Sequence, residues 1–377
     1  MYSYAQNVGI GTNTPNPAAL LHVEFGSDFV RGFLVNGTNY SSGATVPNLG
    51  QGPRMMFYPG KVAFRAGLVT SNQWDDANVG VISTGLGYNT TASGQGTVAI
   101  GNESRASGYD ATVIGASSVA SGDGSMAIGS ANNATNTYSM ALGYSTTAGG
   151  YSANAFGYNT SATGDYSTAM GYFTTANGQH STAMGNYVTT SGFNGAFAIG
   201  DNSTTTVMQS YVDNGFRARF AGGYRLLTNS AANIGVVLLA SGNSWSAISD
   251  VRMKENFIPV DGESILHKIA TMPLTTWNYK GQDVKTLRHY GPMAQDFYNA
   301  FGHDELGSIG CDTLINQQDF LGVNLIAIQA LEKRTTQLQE ENDELKKQNK
   351  ELATIIEHIR QQVDQIVKAH SGKINHD

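Results

Sequence analysis

From residue 84 to 201, large apolar residues stand almost alone in a polar background, at a spacing fitting neither an amphipathic helix nor an alternating strand. Leu86, Ile100, Ile114, Ile128, Leu142, Phe156, Met170 and Met184 lie fourteen residues apart, and each directly precedes a glycine. A second glycine row falls seven residues further on at Gly94, Gly108, Gly122, Gly150, Gly164, Gly178 and Gly192, with Asn136 in the one gap. Asparagine is the residue that best imitates glycine at positive φ, so the half-period predicts two sharp corners per coil. Alanine follows five residues after each principal glycine from Ala92 to Ala176, and Thr190 takes that place in the eighth coil. A fourteen-residue coil with two corners leaves two short strands, each pairing with its counterpart in the next coil. Eight coils at strand spacing make a rod roughly 40 Å long. The apolar residue before each principal glycine is expected to fill a thin core, too thin for one chain to be stable alone, so association along the rod is expected. A collagen or low-complexity reading fits less well, because the glycine period is seven and proline is absent from 60 to 258.

The pattern changes at the C-terminus. Leu331, Leu338, Leu345, Leu352, Ile359 and Ile366 recur every seven residues, and Ile328, Thr335, Asn342, Asn349, Ile356 and Val363 fill the companion position. This a/d heptad predicts a coiled-coil helix from Val323, with Glu340, Glu344, Lys347 and Lys350 on its flanks. Asn342 and Asn349 weaken the seam while fixing its register. The heptad alone does not choose between two and three strands.

Composition narrows the function. The chain has 377 residues, 45 glycines, 14% charged residues and a net charge of −7, so nucleic acid is not the expected ligand. The single cysteine, Cys311, excludes an intrachain disulfide framework and a cysteine-rich metal site. No metal or cofactor is expected: "GIGTNTP" lacks the Gly-Lys-Ser/Thr of a phosphate loop. No apolar run is long enough to insert in a membrane. The opening "MYSYAQNVGIGT" lacks the basic and apolar regions of a signal peptide, so either a leader has been removed before "AQN" or export needs none. From 87 to 200 the acids are Glu103, Asp110, Asp123 and Asp165, on different coils, whereas a glycosidase needs two carboxylates flanking one bond. Tyr144, Tyr158 and Tyr172 follow principal glycines in successive coils and predict an outer ladder, either packing ring on ring or stacking on sugars.

Three resemblances extend this reading. "AIGNESRASG", "AIGSANNAT" and "ALGYSTTAGG" resemble the head repeats of trimeric autotransporter adhesins over about residues 84 to 201. That resemblance implies a left-handed parallel β-roll, three chains side by side, and a trimeric coiled coil. "VGIGTNTPNPAALLHV" resembles the start of many Bacteroidetes fibre and surface proteins, which implies an attachment or capping module. "SDVRMKENF", "MPLTTWNYK", "RHYGPMAQDFYNAFG" and the helix "GVNLIAIQALEKR" resemble the intramolecular chaperone of phage endosialidase tail spikes, over about 249 to 335. "HDELGSIGCDTLINQQDFLG" departs from that family's usual short link to the helix.

The chaperone resemblance implies a domain that trimerises, guides folding and then cuts itself off. The bond cut would be Ile248–Ser249, with Ser249 as nucleophile, Lys254 as base and His289 in support. Serine needs a base, and lysine serves only if desolvation or a neighbouring cation such as Arg252 lowers its pKa. The alternative is a domain that chaperones without cutting, with Ser249 a plain turn cap.

The expected fold is therefore mainly β: an N-terminal head over 1–83, a β-roll shaft over 84–201, a strand-rich stem over 202–248, a small α+β chaperone over 249–322 and a coiled-coil helix over 323–370. The expected function is a homotrimeric tail-fibre or surface adhesin that works outside the cell, in a virion, an injection-system fibre or on a bacterial surface. Its expected partners are a cell-surface glycan or protein receptor and a baseplate or fibre-attachment protein bound by the N-terminus. A polysaccharide depolymerase using acids such as Asp75 and Asp76 is the rival.

Overall fold

The computed structural model describes residues 8–10, 21–23, 45–305 and 307–371. Most of the expected attachment module lies outside the described residues; within it, Val8–Ile10 and Leu21–Val23 pair in parallel. The chain divides into two compact units, residues 1–224 with 239–243 and residues 225–238 with 244–377.

The first unit is a β-solenoid of about eight turns. Each turn contributes a five-residue strand, such as Met126–Ser130, and a two-residue strand, such as Asn133–Ala134. Each pairs in parallel with its counterpart fourteen residues away: Ile128 aligns with Ile114 on one side and Leu142 on the other. The sheet continues beyond the repeats on both sides. Ala63–Val69 pairs in parallel with Thr84–Tyr88, Gly52–Tyr58 adds antiparallel to it, and Phe216–Arg219 pairs with Phe197–Gly200.

The interior differs from expectation. The side chains buried in the roll are mostly alanines: Ala99, Ala127, Ala141, Ala155 and Ala169 from the long strands, Ala106, Ala120, Ala134, Ala148 and Ala162 from the short ones, with Val113 and Val188 the larger exceptions among the repeats. The larger apolar residue before each principal glycine points outward instead, because strand alternation puts it on the opposite face from the alanine beside it. Ile114 is 39% exposed and Met170 40%. Within the repeats from Ala92 to Ala183, nothing larger than Val113 is buried in this apolar cluster. Its corners are lined by buried Ser, Thr and Asn, some of which bond to the backbone: Asn132 Nδ2 donates to the carbonyls of Ile128 at 2.7 Å and Gly143 at 2.8 Å.

The corners are also displaced from the glycine rows. The positive-φ corners sit two and nine residues after each principal glycine, and most carry ordinary residues, among them Glu103, Ala131, Ser145, Asn159 and Phe173. The principal glycines lie within the long strands, where coil meets coil. A Cβ on Gly143, at φ +130°, would stand 2.0 Å from the carbonyl oxygen of Gly157.

An arginine occupies the first coil. The Arg65 side chain is fully buried, and burial pulls its guanidinium down to about 10. It donates to the Ser83 carbonyl at 2.9 Å, the Ser83 hydroxyl at 2.9 Å and the Ala92 carbonyl at 3.0 Å. With the Phe64 carbonyl at 2.9 Å they satisfy both terminal nitrogens of the guanidinium, which is the physical reason a charged group is tolerated there.

In the second unit, Gly235–Leu239 pairs antiparallel with Ser246–Ala247. Three helices follow: α1 (Gly262–Thr271), α2 (Ala294–Phe301) and α3 (Gln317–Ser371). Asp261 caps α1 by accepting from Glu263 N. Ile265, Phe297, Phe301 and Ala327 form the small core where these helices meet. Helix α3 begins six residues before the expected Val323. Asn316 Oδ1 accepts from Gln318 N at 2.8 Å, a cap hidden in sequence by the helix-unfriendly Gly322.

These positions predict opposite responses to small substitutions. Gly143→Ala should lower the denaturation midpoint strongly, with at least ~2 kcal/mol lost from the unfolding free energy, because its Cβ has no room and the backbone is left-handed. Ala131→Gly, at a corner with φ +56°, should leave the midpoint unchanged or raise it, since it removes a strained Cβ. Chemical denaturation of both variants checks the pair.

Candidate functional site

The residues singled out around position 249 meet at the exit of a hairpin. Ile248 N donates to Gly235 O at 3.1 Å, which fixes the chain up to the Ile248–Ser249 bond. A short 3-10 turn, Val251–Met253, follows at once. Asp250 builds it: its Oδ1 accepts from Arg252 N at 2.9 Å, and its carbonyl accepts from Met253 N at 3.0 Å. The turn folds the chain back so that Lys254 Nζ donates to Ser249 Oγ at 2.8 Å. A spacing of five residues thereby becomes a direct contact between the two side chains.

Arg252 is not free to act on the lysine as a neighbouring cation. Its guanidinium is forked onto Asp250, Nε to Oδ1 at 3.0 Å and Nη2 to Oδ2 at 2.5 Å. The Arg252 side chain, and then its backbone N–H, hold the Asp250 carboxyl below the usual carboxylate range. Both Ser249 and Lys254 are exposed, and so are Met253, Phe257, Ile258 and Val260 beside them.

His289 sits in a different setting. It lies on a strand, His289–Gly291, that pairs antiparallel with Thr275–Trp277, directly opposite Trp277. Its ring stacks on the indole at 4.5 Å and 26°, and meets Tyr279 edge-on at 6.0 Å. The hydrogen bonds of the described residues join Ser249 to Lys254, while aromatic stacking orients His289.

On the roll, Tyr144, Tyr158 and Tyr172 stack with ring centroids 5.1 Å apart and interplanar angles of 12° and 17°. Their faces are turned toward one another. Phe173 and Tyr187 continue the aromatic edge at 5.2 Å and 7°. A second aromatic series, not singled out from the sequence, runs along the other corner through Tyr138, Tyr151, Tyr166 and His180. Its members fall at two different places in the repeat, so a strict period does not find them. The acids have structural tasks. Asp123 and Asp165 accept from Tyr109 N and Tyr151 N of the preceding coil, each at 2.8 Å. Asp76 pairs with Lys61 at 2.8 Å and accepts from Val46 N at 2.7 Å.

Among the described residues no helix is long and apolar enough to cross a membrane. A search of curated proteins gives no match. Residues 80–104, 106–132, 134–160 and 162–187 each match two copies of the YadA head domain repeat. Residues 249–304 match the chaperone of endosialidase family, beginning at Ser249 itself. The chain is thus an adhesin-like or tail-fibre-like protein, a solenoid of YadA head repeats followed by an endosialidase-type chaperone domain.

Proposed function

We propose that the chain is one protomer of a homotrimeric adhesive fibre, working outside the cell, whose C-terminal domain registers three copies and then releases itself by cutting Ile248–Ser249. One observation carries the assembly: an apolar stripe on the outer face of the roll. In register it runs Met55, Ala66, Leu86, Ile100, Ile114, Ile128, Leu142, Phe156, Met170, Met184, Ile199 and Ala218. Twelve strands at ~4.8 Å spacing give a stripe on the order of 50 Å long. Monomers rarely leave such a surface in water, and a second copy of the same stripe is its natural cover. The a/d seam of α3 is likewise exposed, from Leu331 at 49% to Ile366 at 60%. Likeness to the adhesin head repeats favours three copies over two. A surface glycan or protein receptor, and an attachment protein at the N-terminus, complete the reading.

The dyad supports self-release. Lys254 takes the proton of the Ser249 hydroxyl, whose oxygen attacks the carbonyl carbon of Ile248. A C–O bond forms, the C–N bond breaks, and the Ser249 nitrogen leaves as an amine, receiving the proton that Lys254 had taken. Water then hydrolyses the ester, which leaves a carboxylate on Ile248 and restores the hydroxyl. An ammonium cannot act as base, so the lysine must lose solvent first. The single chain leaves both groups exposed; Met253, Phe257, Ile258 and Val260 form the apolar surface on which a neighbouring protomer would close. Assembly therefore precedes cutting.

Sedimentation should give a trimer at micromolar concentration, and a stable folded monomer would refute the assembly. Deleting residues 249–377 before folding should give aggregates, because parallel strands in register fold slowly with exposed edges. Soluble, heat-resistant trimers from that truncated gene would overturn the chaperone role. On denaturing gels the wild type should yield a fragment whose N-terminal residue is Ser249, more slowly as pH falls. Ser249→Ala, Lys254→Ala and Lys254→Arg should stay assembled and intact, arginine because it remains protonated. An uncut wild-type trimer, or a different N-terminus, would leave a chaperone without peptidase activity.

A further inference from the structure

Among the described residues Arg65 is the only charged one that is fully buried, and it faces a slot. It aligns with Gly85 of the first coil, and Gly85 aligns with Ala99 of the second. From Ala99 onward, every coil to Ala198 fills this inward column with alanine, or with valine at Val113. Gly85 is the one gap in it. The backbone does not ask for glycine there, since Gly85 is not among the left-handed residues, unlike Gly87 at φ +119°. The arginine does ask for it. A Cβ on Gly85 would stand 2.8 Å from Arg65 Cδ and 3.0 Å from its Nε. The stem is not free to swing aside, because oxygens of Phe64, Ser83 and Ala92 hold both terminal nitrogens. At the far end of the column Arg217 faces Ala198, is only partly buried and lies over the Tyr211 ring, so no slot is needed.

The slot matters because the rest of this pairing is offered again by the second coil. One coil further on, Gly67 would meet Gly101 as it now meets Gly87. Thr97 and Ala106 would supply carbonyl and hydroxyl oxygens in place of those of Ser83 and Ala92. Looping out a coil lengthens one connection, and closure cost rises only with the logarithm of its length. Arg65, however, would meet the methyl of Ala99. We propose that Arg65 and Gly85 form a register lock, which lets the strand Ala63–Val69 close on the first coil and on no other. The lock sets how many coils are stacked, and so the length of the rod. It acts within one chain and does not rest on the adhesive reading.

Denaturation and disulfide trapping of the full chain test it. Gly85→Ala should lower the denaturation midpoint while Arg65 is present. In an Arg65→Ala background the same change should leave the midpoint unchanged or raise it, because the methyl enters space the arginine has left. For the register, Leu68→Cys is combined with Tyr88→Cys, its present neighbour, or with Asn102→Cys, one coil further, in chains that also carry Cys311→Ser. Adjacent strands bring Cα atoms within disulfide range, and strands two apart do not. With the native slot, positions 68 and 88 should join within a chain and positions 68 and 102 should not. Gly85→Ala/Ala99→Gly moves the slot by one coil and should raise the yield of the 68-to-102 disulfide at least tenfold. An equal cost of Gly85→Ala with and without Arg65 would overturn the proposal. So would a 68-to-102 yield that stays the same when the slot is moved.

Discussion

Everything in the solenoid depends on how closely one coil lies on the next. Strand backbones stack at hydrogen-bonding distance, and at the principal glycines the carbonyl of the next coil fills the space a side chain would need. That approach makes the coil narrow, and a narrow coil takes mostly alanine methyl groups inside, with Val113 and Val188 the larger exceptions among the repeats. Each buried methyl contributes on the order of 0.8 kcal/mol, so two per coil are a slender hydrophobic gain. The roll therefore leans on its ladders of hydrogen bonds and on whatever covers its outside. The outward stripe and the alanine interior are two consequences of one constraint: the larger apolar group has no room within and becomes the surface.

The period, the parallel pairing and the long C-terminal helix were legible in the sequence because each rests on a strict repeat. Two features of the roll were not. In "AIG" both the alanine and the isoleucine are apolar, and hydrophobicity alone favours the larger one for the core; only the width of the coil decides otherwise. Glycine rows suggested corners, yet a glycine can be required by a close neighbour as well as by its own φ. Glu103 or Tyr138 in a left-handed corner carries no local signal, since those residues disfavour that backbone. At the dyad, Ser249 and Lys254 were reached by resemblance, and their contact depends on the turn that Asp250 caps. The second aromatic series escaped because its members occupy two places in the repeat.

The fold also explains why a separate chaperone would be useful. Parallel strands with little side-chain variety distinguish poorly between the correct register and one shifted by a whole coil, because coils differ chiefly at their corners. A shifted pairing keeps the same ladders, the same alanines and nearly the same stripe. Local energetics cannot correct such an error, so the information must come from an end. In the proposed trimer, Asn342 and Asn349 at seam positions of α3 would penalise misaligned helices. A helical seam, built from local contacts, forms far faster than a solenoid and can set the register before the coils close.

A device of this kind is needed once. After the coils have closed, every strand is paired along its length, and escape would require breaking many ladders together, so the rod persists by the height of its unfolding barrier. The exposed apolar surface of the second unit, Leu274, Tyr279, Val284, Tyr290 and Leu314 among it, would then have no further use on the proposed fibre. The proposed cut just after the hairpin, at a bond whose attacking hydroxyl would lie in the next residue, would need no foreign protease and no second substrate. Its timing would follow from solvent: a lysine exposed in the single chain and covered by neighbours would become competent as a base when the neighbours arrive. The same closing that completes the fold would thereby start the chemistry that removes its guide.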